Sequence, residues 1–211
     1  MHPYYPTTAI IPHYVPNTRT TLELLMSAGT MITMLLGGSI VLGNAISKST
    51  TSKARFSWFF LNSFMHCGFE LYWLLNRDTL AGQGDLLAEM WKEYGHGDSR
   101  YIVGTDELLL TLEKMTIFIW GPLCMASAYY ILKGSPKQYV YQLLASMCHL
   151  FSCTLYYVMD LPEAKNCNPN PIYFWIYFIG FNAPWITVPL YLVIQSYKRI
   201  TEAMITKVKS S

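Results

Sequence analysis

The sequence predicts an all-α polytopic membrane protein, a five-transmembrane-helix bundle forming a single domain over residues 1–211. Three observations lead there. Of the 211 residues, 52% are hydrophobic and only 13% charged, whereas a soluble domain carries about a quarter charged residues. The apolar residues gather into five runs, and a hydrocarbon core is crossed by about 20 helical residues. Most of the basic residues lie between those runs or in the tail. Mean hydropathy is a modest +0.23, partly because the chain has 16 Tyr, which bilayer interfaces favour. A net charge of +2 makes no electrostatic case for nucleic acid as a partner. Plentiful Leu, Ile, Val and Phe argue against disorder.

The first run, 24–46, contains no charge. Ahead of it, His2-Pro3-Tyr4-Tyr5-Pro6 has neither the basic start nor the apolar core of a cleavable signal, so the first span itself targets the chain. The Pro/Tyr-rich segment is expected at the membrane interface, its rings at headgroup depth. The second run, 56–75, is interrupted by His66 and Glu70. In the polar connection 76–106, residues Leu86, Leu87, Met90 and Trp91 recur at helical spacing. That pattern predicts a short helix over 85–94 lying on the membrane surface. The third run, 108–132, contains Glu113 and Lys114, and the fourth, 139–159, contains His149. The fifth, 172–197, has no charge but includes Asn182, Pro184 and Pro189. Helices are the reading for all five, because in hydrocarbon each backbone amide must bond within its own segment. Ionisable groups interrupt the second to fourth runs, so a hydropathy window could drop one and leave four.

Loop charges orient the bundle. Lys48, Lys53, Arg55, Lys133, Lys137, Lys198, Arg199, Lys207 and Lys209 fall on one side, against Arg19, Arg77, Lys92, Arg100 and Lys165 on the other. By the positive-inside rule the first group is cytoplasmic, which puts the amino terminus in the lumen and the carboxyl terminus in the cytoplasm. Of the 5 Cys, only Cys167 lies in a loop. The others are read as small packing residues, and no disulfide framework is indicated.

Ionisable groups inside a bilayer cost roughly 2.5–3.5 kcal/mol each on insertion scales, which makes them functional candidates. His66 and Glu70 are four apart and share a helix face with Asn62 and Trp73. A carboxylate beside an imidazole in low dielectric is a coupled acid/base pair. The competing role is an inter-helix hydrogen bond that holds the bundle together. Glu113, Thr116 and Trp120 share a face of the third span, where Glu113 is a candidate proton donor. Asn182 and Trp185 share a face of the fifth, where indole rings could stabilise a cation. His149 reads as a packing or hydrogen-bonding residue. Neither HxxxH nor HExxH is present, nor GxGxxG, Walker A or Gly-x-Ser-x-Gly, so no metal or nucleotide cofactor has a signature. Acid/base chemistry on an apolar substrate remains, with ligand binding and proton-coupled transport as the other readings. Five spans without an inverted repeat disfavour transport.

These residues lie in blocks that resemble the emopamil-binding proteins, the 3-beta-hydroxysteroid Δ8-Δ7 isomerases of sterol biosynthesis. The blocks are HPYYP (2–6), VPN (15–17), FMHCGFELYW (64–73), WKEYGHGDSRYI (91–102), LEKMTIFIWGPL (112–123) and YFWIYFIGFNAPW (173–185). They run in order over most of the chain. The resemblance implies five helices in the endoplasmic reticulum membrane and a sterol whose double bond moves from C8–C9 to C7–C8 without a redox cofactor. An acid protonates C9, a carbocation forms at C8, and a base removes a proton from C7. The family's polar positions fall on His66 and Glu70, on Glu113 and Thr116, and on Asn182 and Trp185. The resulting assignment is catalytic His66, Glu70 and Glu113, with Glu113 as first donor. Thr116, Asn182, Trp185, Tyr94 and Trp120 form the substrate- and cation-binding set, and no residue is assigned to a metal.

The implied partners are a sterol, lipophilic amines that mimic the cation, the bilayer and, as an assembly, a homodimer. Two departures stand out. His149 and Cys153 replace an expected Gln and Asp, and the loop 162–171 diverges. A sister branch keeps the fold without isomerase activity, so a non-catalytic binder of sterols or cationic amphiphiles is the alternative. Retention of the acidic and aromatic positions favours the active branch. The tail Lys207-Val208-Lys209-Ser210-Ser211 resembles a retrieval signal.

Overall fold

The computed structural model describes residues 2–44 and 50–210, and every regular element among them is helical. Helix α1 covers Thr21–Asn44. Helix α2 (Thr50–Phe64) runs through a π-helical stretch, Met65–Glu70, into α3 (Leu71–Asn76). The connection holds a 3-10 turn at Leu80–Gly82, then α4 (Leu86–Tyr94) and α5 (Arg100–Val103). Helix α6 (Glu107–Met115) passes through a second π stretch, Thr116–Trp120, into α7 (Gly121–Leu132). Helix α8 covers Lys137–Asp160, and a third π stretch, Tyr173–Gly180, precedes α9 (Pro184–Ser210). Residues 45–46 of the first predicted span, Ser47 and Lys48 of the basic loop, and Ser211 of the tail lie outside the described residues.

Local chemistry sets the helix ends. The Asp85 carboxylate accepts from the backbone N–H of Leu87 and Ala88 and starts α4, and Asp106 does the same for α6 through Leu109. Gly104, at φ 72°, closes α5 in the left-handed region that glycine tolerates. The predicted fifth span is interrupted: residues 181–183 form a turn, and α9 restarts at Pro184, whose missing N–H suits a first helical position. It then continues to Ser210, well past the predicted end at 197.

Thr21–Asn44, Glu107–Leu132 and Tyr173–Lys209 are long and apolar enough to cross a membrane. The other two long helices, 50–76 and α8, carry more polar residues, and in α8 these point inward. Gln142, Ser146, His149, Cys153, Tyr156 and Asp160 are buried, while Val140, Leu144, Met147, Phe151 and Val158 are exposed. A helix in a soluble bundle shows the reverse. Helix α1 packs on α2, α2 on α7, α7 on α8, and α8 on α9.

One expectation is corrected. Residues 86–94 are helical, but α4 does not lie on a surface: Ala88 to Glu93 are all buried. The amino-terminal segment folds over α4. The Tyr4 hydroxyl donates to the Lys92 carbonyl, and Lys92 Nζ donates to the carbonyls of Val15 and Gln83. The Glu89 carboxylate accepts from the backbone and hydroxyl of Thr18 at 2.7 and 2.8 Å and from the Arg19 guanidinium at 2.9 Å. Glu93 accepts from the Tyr177 hydroxyl at 2.7 Å, tying α4 to the third π stretch. The motif charges are thus internal ties, each satisfied, as burial requires.

Helix 107–132 approaches helix 50–76 closely at Gly121. A Cβ there would fall 2.5 Å from Cys67 Sγ and 3.2 Å from His66 Cβ. Glycine therefore lets the two π stretches touch, and this approach positions the polar interior.

Two predictions follow from these contacts. Burial alone would push the Glu89 carboxyl up, but hydrogen bonds from Thr18 and Arg19 outweigh it and hold it down at about 2. Because the folded value lies below the ordinary 4.5, the carboxylate's stabilisation is full above that pH and fades as pH falls towards 2. Glu89→Gln should cost about 2 kcal/mol at neutral pH in unfolding experiments, and its gap to the parent should close on acidification. Gly121→Ala should destabilise by about 1–3 kcal/mol through overpacking. Adding Cys67→Ala, which removes the clashing sulfur, should recover part of that loss.

Candidate active site

The polar residues of helices 50–76, 107–132 and α8 meet in the interior. On the first of these, Trp58, Asn62, His66 and Glu70 recur every four residues and so stack along one face. His66 Nδ1 lies 2.9 Å from both Glu70 carboxylate oxygens. Its other nitrogen, Nε2, lies 3.0 Å from Nε2 of His149. His149 in turn is 3.6 Å from Cys124 Sγ on α7, and the Trp58 indole packs edge-on against it with centroids 6.3 Å apart. Trp58 also packs against Trp185 at 5.7 Å. Trp185 Nε1 donates to Asn62 Oδ1 at 2.7 Å, and Asn62 is anchored by donating to the Trp58 carbonyl.

Glu113 forms a second group. Its Oε1 accepts from the Tyr101 hydroxyl at 2.6 Å, while Oε2 is buried without a partner. The Tyr101 carbonyl receives Trp73 Nε1 at 2.8 Å. The Tyr94 ring packs on Tyr101 at 5.4 Å, and its hydroxyl accepts from Asn182 at 3.2 Å and sits 3.4 Å from the Tyr156 hydroxyl. Glu70 lies within electrostatic range of Glu113.

The structure therefore brings His66 and Glu70 into direct contact, with Glu113 within electrostatic range of Glu70. Trp185 joins the first group through Asn62, and Asn182 and Tyr94 join the second. The shared face predicted for Asn182 and Trp185 is thus split between two partners, since Asn182 lies in the turn and Trp185 in the first turn of α9. Thr116 is buried but donates to the Leu112 carbonyl within its own helix. Trp120 is buried with Nε1 unpartnered. Lys114 is exposed, pointing away from Glu113.

Sequence reasoning missed Trp58, Tyr101 and Cys124 as neighbours. Trp58 was within reach, four residues before Asn62 in the same stripe. Tyr101 lies in an irregular connection where no periodicity marks it. Buried polar side-chain atoms without partners include Glu113 Oε2, His149 Nδ1, Trp58 Nε1 and Trp120 Nε1. Such atoms are rare in native interiors, and a substrate that reaches them would account for the one on Glu113. Two clefts, of about 420 and 320 Å³, are lined by other residues, among them His2 and Tyr14 in one and Pro6 and Arg100 in the other.

Comparison with known proteins identifies the family of the chain. The model of the EXPERA family (expanded EBP superfamily) matches residues 86–196. A mouse 3-beta-hydroxysteroid-Δ8,Δ7-isomerase is 31% identical over 96% of this chain and 90% of its own length. A probable isomerase of the same name from Arabidopsis thaliana is also 31% identical, with the same coverage. An isomeliandiol synthase from Melia azedarach is 30% identical over 73% of this chain and 72% of its own. A family match over more than half the chain, with relatives at this identity along nearly all of it, shows that the chain belongs to the EXPERA superfamily.

Proposed function

We propose that this chain is a sterol isomerase of biosynthesis that moves a ring double bond from C8–C9 to C7–C8. The observation that carries this reading is the pairing of buried His66 with half-buried Glu70, within electrostatic range of the half-bonded carboxyl of Glu113. The names of the relatives supply the substrate class. The reaction is redox-neutral, one proton added and one removed, and the site offers a group for each.

In this mechanism Glu113 delivers a proton to C9 from Oε2 while Tyr101 holds Oε1. The electrons of the double bond form the new C–H bond, leaving a cation at C8. The indoles of Trp58 and Trp185 stabilise that charge through their π faces. With Nδ1–H directed at Glu70, neutral His66 carries its lone pair on Nε2, where it accepts from His149; with that contact released to the substrate, the lone pair removes the proton from C7. The C–H electrons become the new double bond, and the Glu70 carboxylate stabilises the imidazolium. Loss of the imidazolium proton to solvent and uptake of a solvent proton by Glu113 reset the site. Tyr94, Asn182, Thr116 and Trp120 line the substrate side.

We infer five spans in the endoplasmic reticulum membrane, amino terminus lumenal. The inward polar and outward apolar faces of α8 support a span that hydropathy alone undervalues. Arg55, Lys92 and Arg100 are buried. Setting them aside strengthens the excess of basic residues on the proposed cytoplasmic side.

Purified protein given a Δ8 sterol and no nucleotide should form the Δ7 isomer. Glu113→Gln and His66→Ala should each lower turnover by about 10²–10⁴-fold, the range of general acid–base catalysis. Turnover intact in both variants would remove the site, and sterol binding with no product after prolonged incubation would make the chain a binder. Lipophilic amines should bind tightly as cation mimics, and Trp185→Ala should weaken them by about 5–30-fold, the value of a partly desolvated cation–π contact. An unchanged affinity would remove Trp185 from that role.

A further inference from the structure

We propose that His66, Cys124 and His149 form a binding site for a soft divalent cation of the zinc class, and that occupancy silences the His66–Glu70 pair. The three side chains come from three different helices, so no sequence spacing announces them. All three are buried, and their ligand atoms lie within 4.8 Å of one another.

Two of the three ligand separations are close to those of a metal site. Zinc holds imidazole nitrogen at about 2.0–2.1 Å and thiolate sulfur at about 2.3 Å in a tetrahedral arrangement. Those lengths place a nitrogen and a sulfur ligand about 3.6 Å apart and two nitrogens about 3.3 Å apart. The His149–Cys124 separation is 3.6 Å, and the two imidazole nitrogens are 3.0 Å apart. The third pair, His66 and Cys124, lies within 4.8 Å, and rotation of the Cys124 thiol towards His66 closes the site around the ion.

The surroundings also match. Metal-binding histidines usually direct their second nitrogen at a carboxylate, which fixes the ring and raises its basicity, and Glu70 holds His66 Nδ1 in this way. With that proton on Nδ1, His66 Nε2 carries a lone pair, and His149 supplies the proton between the two rings. His149 Nδ1 is buried with no partner, so this proton can shift to it and expose the second lone pair. Binding then releases only the Cys124 thiol proton. Two imidazoles and a thiolate select zinc or cadmium over magnesium or calcium, and three protein ligands leave a fourth position for a small molecule.

The inhibitory half of the proposal rests on the isomerase reading, because the metal takes the Nε2 lone pair that would remove the C7 proton. The binding half does not. The purified full-length protein is titrated with cadmium, followed by its ultraviolet thiolate-to-metal absorption, and with zinc, followed by turnover of a Δ8 sterol. One equivalent of cadmium should raise the absorption, and Cys124→Ala should abolish it. His149→Phe should weaken cadmium binding by about tenfold or more. Zinc should inhibit the parent reversibly, with recovery on chelation. Cys124→Ala, scored against its own turnover without zinc, should need at least about tenfold more zinc for the same fractional inhibition. Absence of the band, or a band or zinc sensitivity unaltered by Cys124→Ala, would overturn the site. A band without turnover would instead count against the isomerase reading, so the two failures are separable.

Discussion

A carboxylate and an imidazole on the inner face of one helix must each find a partner inside the bundle, because either one left alone and buried costs several kcal/mol. Glu70 and His66 meet this requirement through each other and, at the far nitrogen of His66, through His149 on α8. Much of the bundle follows from that constraint. Helix α8 turns its polar side inward to supply His149, and the neighbouring helix brings Glu113 within electrostatic range of Glu70. Gly121 permits that approach, since any side chain there would strike Cys67 and the base of His66. Both helices change to π geometry at this point, one over Met65–Glu70 and the other over Thr116–Trp120. Such stretches inside α-helices often mark functional positions.

The cap over this interior is built by the same rule from different residues. Glu89, Lys92 and Glu93 are buried on one short helix, and each spends its charge on hydrogen bonds to another part of the chain. They hold the amino-terminal segment and the third π stretch against α4. Trp91, from the same helix, stacks on Phe69 at 4.5 Å and donates to its carbonyl, while Tyr94 reaches Asn182. One short helix thus links the cap to both halves of the site.

The helices were legible in the sequence because hydrocarbon imposes length and apolarity on anything that crosses it. Predicted and observed limits of α8 and of helix 107–132 differ by a residue or two. The pairing of His66 with Glu70 was legible too, since a spacing of four fixes a shared face. Contacts between helices were not. Nothing in the spacing of His149 or Cys124 points to His66, because helix rotation is set by packing against neighbours. Surface placement of the 85–94 helix failed for a related reason. Its hydrophobic spacing is that of an amphipathic helix, but its charges are satisfied by distant segments, Thr18, Arg19 and Tyr177, which periodicity within the helix cannot reveal.

The central claim is that buried carboxyl and imidazole groups move protons on and off a sterol ring. Turnover of a Δ8 sterol in heavy water tests it most directly, with the product analysed for the position of the label. One deuterium at C9 is the predicted result, since the proton added there comes from a site group that exchanges with solvent. A Δ7 product carrying no deuterium at C9 would contradict the account.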